Sequence, residues 1–254
     1  MKYDYTRQEM EDCLRKLGIV PGDNLFLHTN IGFFGRMKNV TSSEELCKEV
    51  FEALKSVVTD SGTIVLPAFS YSFFRDEVFN PSTTRSDCGI LSEYALKQDD
   101  TRRSLDPNFS VVAWGRLAEE FTNNWAHESF GPDSFWSRIL AREGKLVCMN
   151  HSGSTFVHYV EKSNSVPYRY NKAFNGIIEL NDGTKWKDYA VHFVFEGSAD
   201  YPFFDRLDKK CRETGILTSE NLGRGTISEM SFKDYYELIS NCIREYPRFL
   251  TAGG

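Results

Sequence analysis

The capacity of this sequence for proton transfer is concentrated between Ser154 and Glu161, where Thr155, His158 and Glu161 recur at every third position. On a helix that spacing puts the three side chains on roughly one face. A histidine titrates near neutrality, so His158 could take a proton from an attacking amine. It could equally be a core imidazole with its hydrogen bonds satisfied internally. The apolar run Lys145 to Met149 reads as a strand just before this stretch. In α/β sheets the passage from strand to helix is where ligands bind.

Four further histidines offer weaker readings. His151 lies in the loop before the helix, where it could bind substrate or help cap it. His28 closes an alternating stretch, Asn24 to His28, and could reach a ligand or close a turn. His127 sits among polar residues and reads as a surface group, and His192 sits in an alternating strand, where a structural role is expected. The loop Thr29 to Gly35, with Asn30 and Gly32, can present backbone N–H groups to an anion, although a plain turn explains it as well. It carries neither the phosphate-loop nor the dinucleotide-binding glycine pattern. Glu196 ends a strand before Gly197; a carboxylate there, if near His158, would fix its tautomer and raise its basicity. No G-x-S-x-G elbow is present, which weakens a serine-hydrolase reading.

These residues need elements to hold them. Thr6 and Glu9 form a capping box for a helix to about Leu17, and Thr41 to Ser43 cap a second helix with Leu46, Val50, Phe51, Leu54 and Val58 on one face. Thr63 to Leu66 is an apolar run suited to a strand covered on both sides. Pro67 to Pro81 is aromatic without clear periodicity and reads as a long loop. Helices are expected over Gly89–Gln98, Arg116–Trp125, Ser134–Arg142 and Thr155–Lys162, with a strand at Ser110–Trp114. Strand and helix in alternation argue a three-layer α/β/α fold with a mostly parallel central sheet. After Pro167 the pattern changes: Ile177 to Leu180, the turn Asn181-Asp182-Gly183, and Lys185 to Phe195 read as an antiparallel hairpin, a late β insertion at about 175–197. Helices at Pro202–Thr214 and Phe232–Glu245 follow. With no repeat or linker, residues 1–254 read as a single domain.

Composition narrows the classes. Of 254 residues, 41% are hydrophobic and 26% charged, as in ordinary globular enzymes, while aromatics reach 14%. A net charge of −6 and no dense Lys/Arg run argue against nucleic acid. Six cysteines are scattered without C-x-x-C or zinc spacing, so no metal is expected. No apolar run approaches the ~20 residues of a membrane span, and the opening residues are polar, so no membrane contact and a cytoplasmic location are expected.

Several ordered blocks resemble the aminoglycoside 3-N-acetyltransferases, or antibiotic N-acetyltransferases, over nearly the whole chain. They are Pro21 to Asn30, Gly62 to Pro67, Gly89 to Glu93, Arg103 to Pro107, Ser110 to Gly115, Phe130-Gly131 with Ser134, Thr155 to Glu161, and Pro167 to Arg169. The resemblance implies an α/β/α acyltransferase with acyl-CoA as donor, acetyl-CoA by default, and direct attack of an amine on the thioester in a ternary complex. It gives His158 the role of general base, with Glu196 as its carboxylate partner. It implies CoA contacts at His28, Thr29, Asn30, Gly32, Ser70, Ser104 and Ser110, and acceptor contacts at His151, Thr155, Glu161, Tyr168 and Asp106.

The chain departs from the drug-modifying pattern. Asp106-Pro107 stands where those members usually have His-Pro, and the loop before the helix, Asn150 to Thr155, lacks their acidic residue two after the first histidine. The helix reads Val157-His158-Tyr159-Val160-Glu161 rather than Leu-His-Leu-Ala-Glu. This wording resembles shorter members associated with polysaccharide loci. The first expectation is therefore N-acylation of a nucleotide-linked amino sugar. The alternatives are an aminoglycoside acceptor or a non-catalytic CoA- or sugar-binding protein. A homodimer is compatible with any of these.

Overall fold

Local chemistry starts the helices where the sequence places them. In the computed structural model, which describes residues 2–123, 125–196 and 204–251, Thr6 and Glu9 close a capping box on α1 (Arg7–Lys16), and Ser42 and Glu45 close another on α2 (Ser43–Val58). Each box satisfies backbone N–H groups that have no partner within the helix. The remaining helices are α3 (Ile90–Ala95), α4 (Ala118–Thr122), α5 (Phe135–Ala141), α6 (Val157–Ser163), α7 (Phe204–Glu213) and α8 (Phe232–Glu245). The strands are β1 (Asn24–Thr29), β2 (Thr63–Pro67), β3 (Thr101–Arg103), β4 (Val111–Gly115), β5 (Lys145–Met149), β6 (Arg169–Glu179), β7 (Lys185–Phe195), β8 (Thr218–Leu222) and β9 (Gly225–Ser231).

Seven strands form one sheet in the order β3-β4-β2-β1-β5-β9-β8. Its core is the parallel trio β2-β1-β5, flanked on both sides by antiparallel strands. Alternation along the apolar strands divides the core in two. Phe26, Val65, Leu146 and Cys148 face α5, α6 and α8. Leu25, Leu27, Ile64, Leu66 and Val147 face α1 and α2. The fold is thus the expected α/β/α sandwich. The late insertion forms a separate two-stranded sheet, β6 and β7, in register from Arg169↔Phe195 to Glu179↔Lys185. It begins earlier than the expected 175, because Arg169 to Phe174 continue the pairing. Gly197 at its far limit, and Pro202 at the start of the next expected helix, lie outside the described residues.

Two elements escaped the sequence patterns. The β8–β9 hairpin extends the sheet at one edge and β3 extends it at the other, while α3, expected to reach Gln98, ends at Ala95. Among the described residues, no helix is long and apolar enough to cross a membrane.

β1 is where the chain reverses direction across the sheet: it leads to β2 on one side and lies beside β5 on the other. The C-terminal ends of β1 and β5 run side by side, with His28 opposite Cys148 and Thr29 opposite Met149. Such a switch point opens a crevice. Asn30 and Asn150 exchange side-chain-to-backbone hydrogen bonds of 3.1 and 3.3 Å across it. Asn150 Oδ1 also accepts from Thr226 N–H at 2.9 Å. Gly225 makes room for that amide, since a Cβ there would lie 2.1 Å from Asn150 Oδ1.

Candidate active site

His158 stands in the first turn of α6, which follows β5 at this crevice. Its side chain keeps 18% of its surface exposed. Nδ1 lies 2.8 Å from Glu161 Oε2, one helical turn on. Glu161 is 1% exposed and fully engaged. Its Oε1 accepts from Tyr168 Oη at 2.9 Å. The Arg169 guanidinium approaches Oε2 at 2.7 Å, with its Nε–H not aimed at the oxygen, so the contact is an ion pair rather than a directed hydrogen bond. Burial works to raise the Glu161 pKa, but the hydrogen bond and charge of His158, with Arg169 and Tyr168, outweigh it and hold the carboxyl below its usual range. A carboxylate accepting from Nδ1–H leaves the Nε2 lone pair free as a base. Burial lowers the His158 pKa, and the Arg169 charge adds to this, while Glu161 opposes both. The net shift is downward, which favours the neutral imidazole, the form able to accept a proton.

This geometry corrects the expected pairing. Glu161, rather than Glu196, holds His158. Glu196 is exposed at the end of β7, where its backbone N–H donates to Tyr168 O. The signal was available, since i and i+3 side chains on a helix meet. Glu161 and Tyr168, expected to touch the acceptor, are both 1% exposed; Glu161 instead holds His158 and Tyr168 holds Glu161. Thr155 is half-buried at the start of the turn, where its carbonyl accepts from His158 N–H.

His28 is buried, 3.2 Å from Ser154 Oγ and stacked on the exposed His151 at 4.8 Å. Burial, helped by His151, pushes its pKa down to about 3. Thr29, Asn30 and Gly32 line a groove of about 300 Å³ with Phe33, Gly89 and Ile90. The three serines expected to contact CoA are not there. Ser110 Oγ donates to Ala68 O at 2.6 Å, Ser70 Oγ to Pro107 O at 3.0 Å, and Ser104 Oγ accepts from Val111 N–H at 2.9 Å. All three are buried and fasten the Pro67–Pro81 loop or β4. Arg103 ties Ala68 O of the same loop to Thr84 O just beyond it. Asp106 is likewise buried and accepts from the N–H groups of Asn108 and Phe109, both at 2.9 Å. Turn formation explains it without a ligand.

Three contacts went unseen in the sequence because they are tertiary. Arg169 reaches Glu161 from β6. Asp208 on α7 accepts from Ser152 Oγ at 2.5 Å, at the crevice loop. His192 on β7 comes within 6.2 Å of His158, ring centre to ring centre. Among the described residues no group of three or more His, Cys, Asp or Glu is placed to hold a metal ion.

The buried imidazoles make stability depend on pH. Burial holds His28 at about 3 and, with His158 and Arg169 nearby, His192 at about 2, against 6.5 when unfolded. Below 6.5 the unfolded chain therefore binds protons that the folded chain refuses. Stability is complete above that value and falls with acidification, by about 1.4 kcal/mol per group at pH 5.5. Urea midpoints should drop clearly between pH 7.5 and 5.5; equal midpoints would show that these rings are not held neutral.

A partly exposed imidazole held by a buried carboxylate, on the helix that follows β5 of an α/β sheet, is an arrangement able to accept a proton. Residues 27–244 match the family model for aminoglycoside 3-N-acetyltransferase. The chain belongs to that family, and is by class an acyl-CoA-dependent N-acyltransferase. It is 28% identical over 173 residues to aminoglycoside N(3)-acetyltransferase IV of Salmonella sp, a match covering 66% of this chain and 63% of that relative, just under two thirds of its length. It is 26% identical over 228 residues to aminoglycoside N(3)-acetyltransferase III of Salmonella sp, covering 77% of each. The structure of AAC-IIIb in a binary complex with CoASH superposes with a TM-score of 0.82 at 19% identity, covering 94% of this chain and 96% of that one, which establishes the shared fold.

Proposed function

We propose that the protein transfers an acetyl group from acetyl-CoA to an amine of an aminoglycoside. The observation that carries this reading is His158, partly exposed and oriented by Glu161, within a chain of this family. The relatives' names specify aminoglycosides, which favours that acceptor over the nucleotide-linked amino sugar expected first from the sequence.

The donor is read into the groove, with its phosphates near Thr29, Asn30 and Gly32 and its thioester toward His158. CoA supplies an activated acyl carbonyl. The acceptor amine, in its neutral form, attacks that carbon while His158 Nε2 takes its proton. The C–S bond then breaks and the thiolate leaves as CoASH, protonated by His158. Glu161 keeps its charge throughout and stabilises the imidazolium that forms in between.

Asp208 also supports a cationic acceptor. The loop Asn150 to Thr155 lacks the acid usual in drug-modifying members, and α7 places the Asp208 carboxylate against Ser152 in that loop. Asp208→Asn should raise the aminoglycoside KM roughly 5- to 10-fold with kcat little changed, the worth of about 1 kcal/mol from a half-exposed charge. An unchanged KM would remove Asp208 from the acceptor site.

The deciding experiment measures thiol release from acetyl-CoA with gentamicin-type drugs and, in parallel, a panel of nucleotide-linked amino sugars. Release with the drugs alone supports this reading. Release with the sugars alone restores the other acceptor, and release with neither, together with no calorimetric affinity for acyl-CoA, favours a non-catalytic binding protein.

A further inference from the structure

Beside the base lies a second imidazole, His192, read from the sequence as structural, whose ring is given no task by the hydrogen-bond network. His192 projects from β7 into a set of rings. It stacks on Phe109 at 4.8 Å and lies 5.2 Å from Phe74, 5.3 Å from Phe130 and 6.2 Å from His158, whose ring it meets nearly edge-on at 83°. Its Nδ1 is sealed from solvent with no hydrogen-bond partner, whereas Nε2 is not among the sealed, unpartnered atoms. A buried N–H without an acceptor is costlier to keep than a bare lone pair among aromatic rings. The proton therefore belongs on Nε2, the nitrogen that can still meet water or a reactant.

We propose that His192 is a further catalytic residue, its Nε2–H donating to the thioester carbonyl oxygen as the acceptor amine attacks. This rests on the transferase reading above. The separation of the rings fits the task. During attack the amine nitrogen must lie about 3 Å from His158, and the carbonyl oxygen about 3 Å from a donor, with the two reacting groups in contact. Two imidazoles 6.2 Å apart can each reach one of those atoms. As the amine bonds to carbon, the carbonyl π pair moves onto oxygen and the donor stabilises the resulting oxyanion. When that pair returns, the C–S bond breaks, and His192 gains and loses no proton. A neutral donor suits this role: it need not be deprotonated to act and does not compete with the acceptor amine for the base. The hairpin that carries His192 thereby acquires a part in the chemistry.

The test is His192→Phe, which keeps an aromatic ring against Phe109 and Phe130 but removes the donor, compared with His192→Gln, which restores an N–H. With acetyl-CoA and an aminoglycoside, His192→Phe should lose about 10²- to 10³-fold in kcat with both KM values within about threefold of wild type, and His192→Gln should recover at least tenfold of that loss. Circular dichroism and urea midpoints establish that each variant is folded. If the Phe variant does not fold, His192→Leu takes its place. A folded Phe or Leu variant with wild-type kcat overturns the proposal while leaving the transferase reading intact, and so does a Gln variant as slow as the Phe one. A wild-type protein that releases no thiol from acetyl-CoA with any acceptor overturns both.

Discussion

His158→Ala is expected to lower kcat by about 10²- to 10⁴-fold while leaving the unfolding midpoint near that of the wild type. The range is that for loss of a positioned general base. The fold should tolerate the change because the ring is partly exposed and, among the described residues, hydrogen-bonds to Glu161, which keeps Tyr168 and Arg169 as partners. Burial lowers the histidine pKa, so the acid limb of wild-type kcat/KM should fall below the usual histidine value of about 6.5, with activity present above that limb and lost as pH falls through it. In His158→Ala this limb should disappear, leaving only the rise at higher pH as the acceptor amine loses its proton. His158→Gln, which retains volume but cannot accept a proton, should be as slow as alanine. A His158→Ala rate within threefold of wild type, or an unchanged acid limb, would place the base elsewhere.

The central sheet was legible because its strands are continuous apolar runs. Leu25 to Leu27, Ile64 to Leu66 and Leu146 to Met149 are buried on both faces, and few other structures accommodate such runs. Helix starts were legible from Thr6 and Ser42, whose caps are local. What failed lies at the edges and between elements. β8 carries Ser219, Glu220 and Asn221, polar residues acceptable on an exposed edge strand, and β3 is three residues long, too short for periodicity to register. In the site, the spacing of His158 and Glu161 lay within one helix, and the structure joins them there. The serines at 70, 104 and 110 occupy positions at which the family resemblance implied CoA contacts, but here their hydroxyls close loops, which sequence cannot distinguish from ligand binding. Arg169, His192 and Asp208 arrive from β6, β7 and α7, so only the assembled fold could reveal them.

Glu161 carries the second large effect, and its two roles can be separated. Glu161→Leu leaves the Arg169 guanidinium, 6% exposed, without its counter-charge and the Tyr168 hydroxyl without its acceptor. Removing one partner of a buried pair costs about 3–5 kcal/mol, so the urea midpoint should fall sharply. Arg169 is not wholly abandoned, since Nη1 donates to Phe193 O at 3.2 Å and the guanidinium lies 5.4 Å from the Phe195 ring, which places the expectation toward the lower end. Activity should fall too, because His158 loses the acceptor that keeps its proton on Nδ1 and can then present Nε2–H, the tautomer unable to act as base. Where a histidine base loses that orientation, kcat drops by as much as about 10⁴-fold. The double variant Glu161→Leu with Arg169→Leu separates the two effects. Removing the stranded charge should restore much of the lost stability, since apolar replacements of a buried pair are often neutral or better. The rate should not recover, because nothing has returned to His158 Nδ1. Were stability and kcat to recover together in the double variant, Glu161 would be a structural counter-ion to Arg169 and not the group that orients the base.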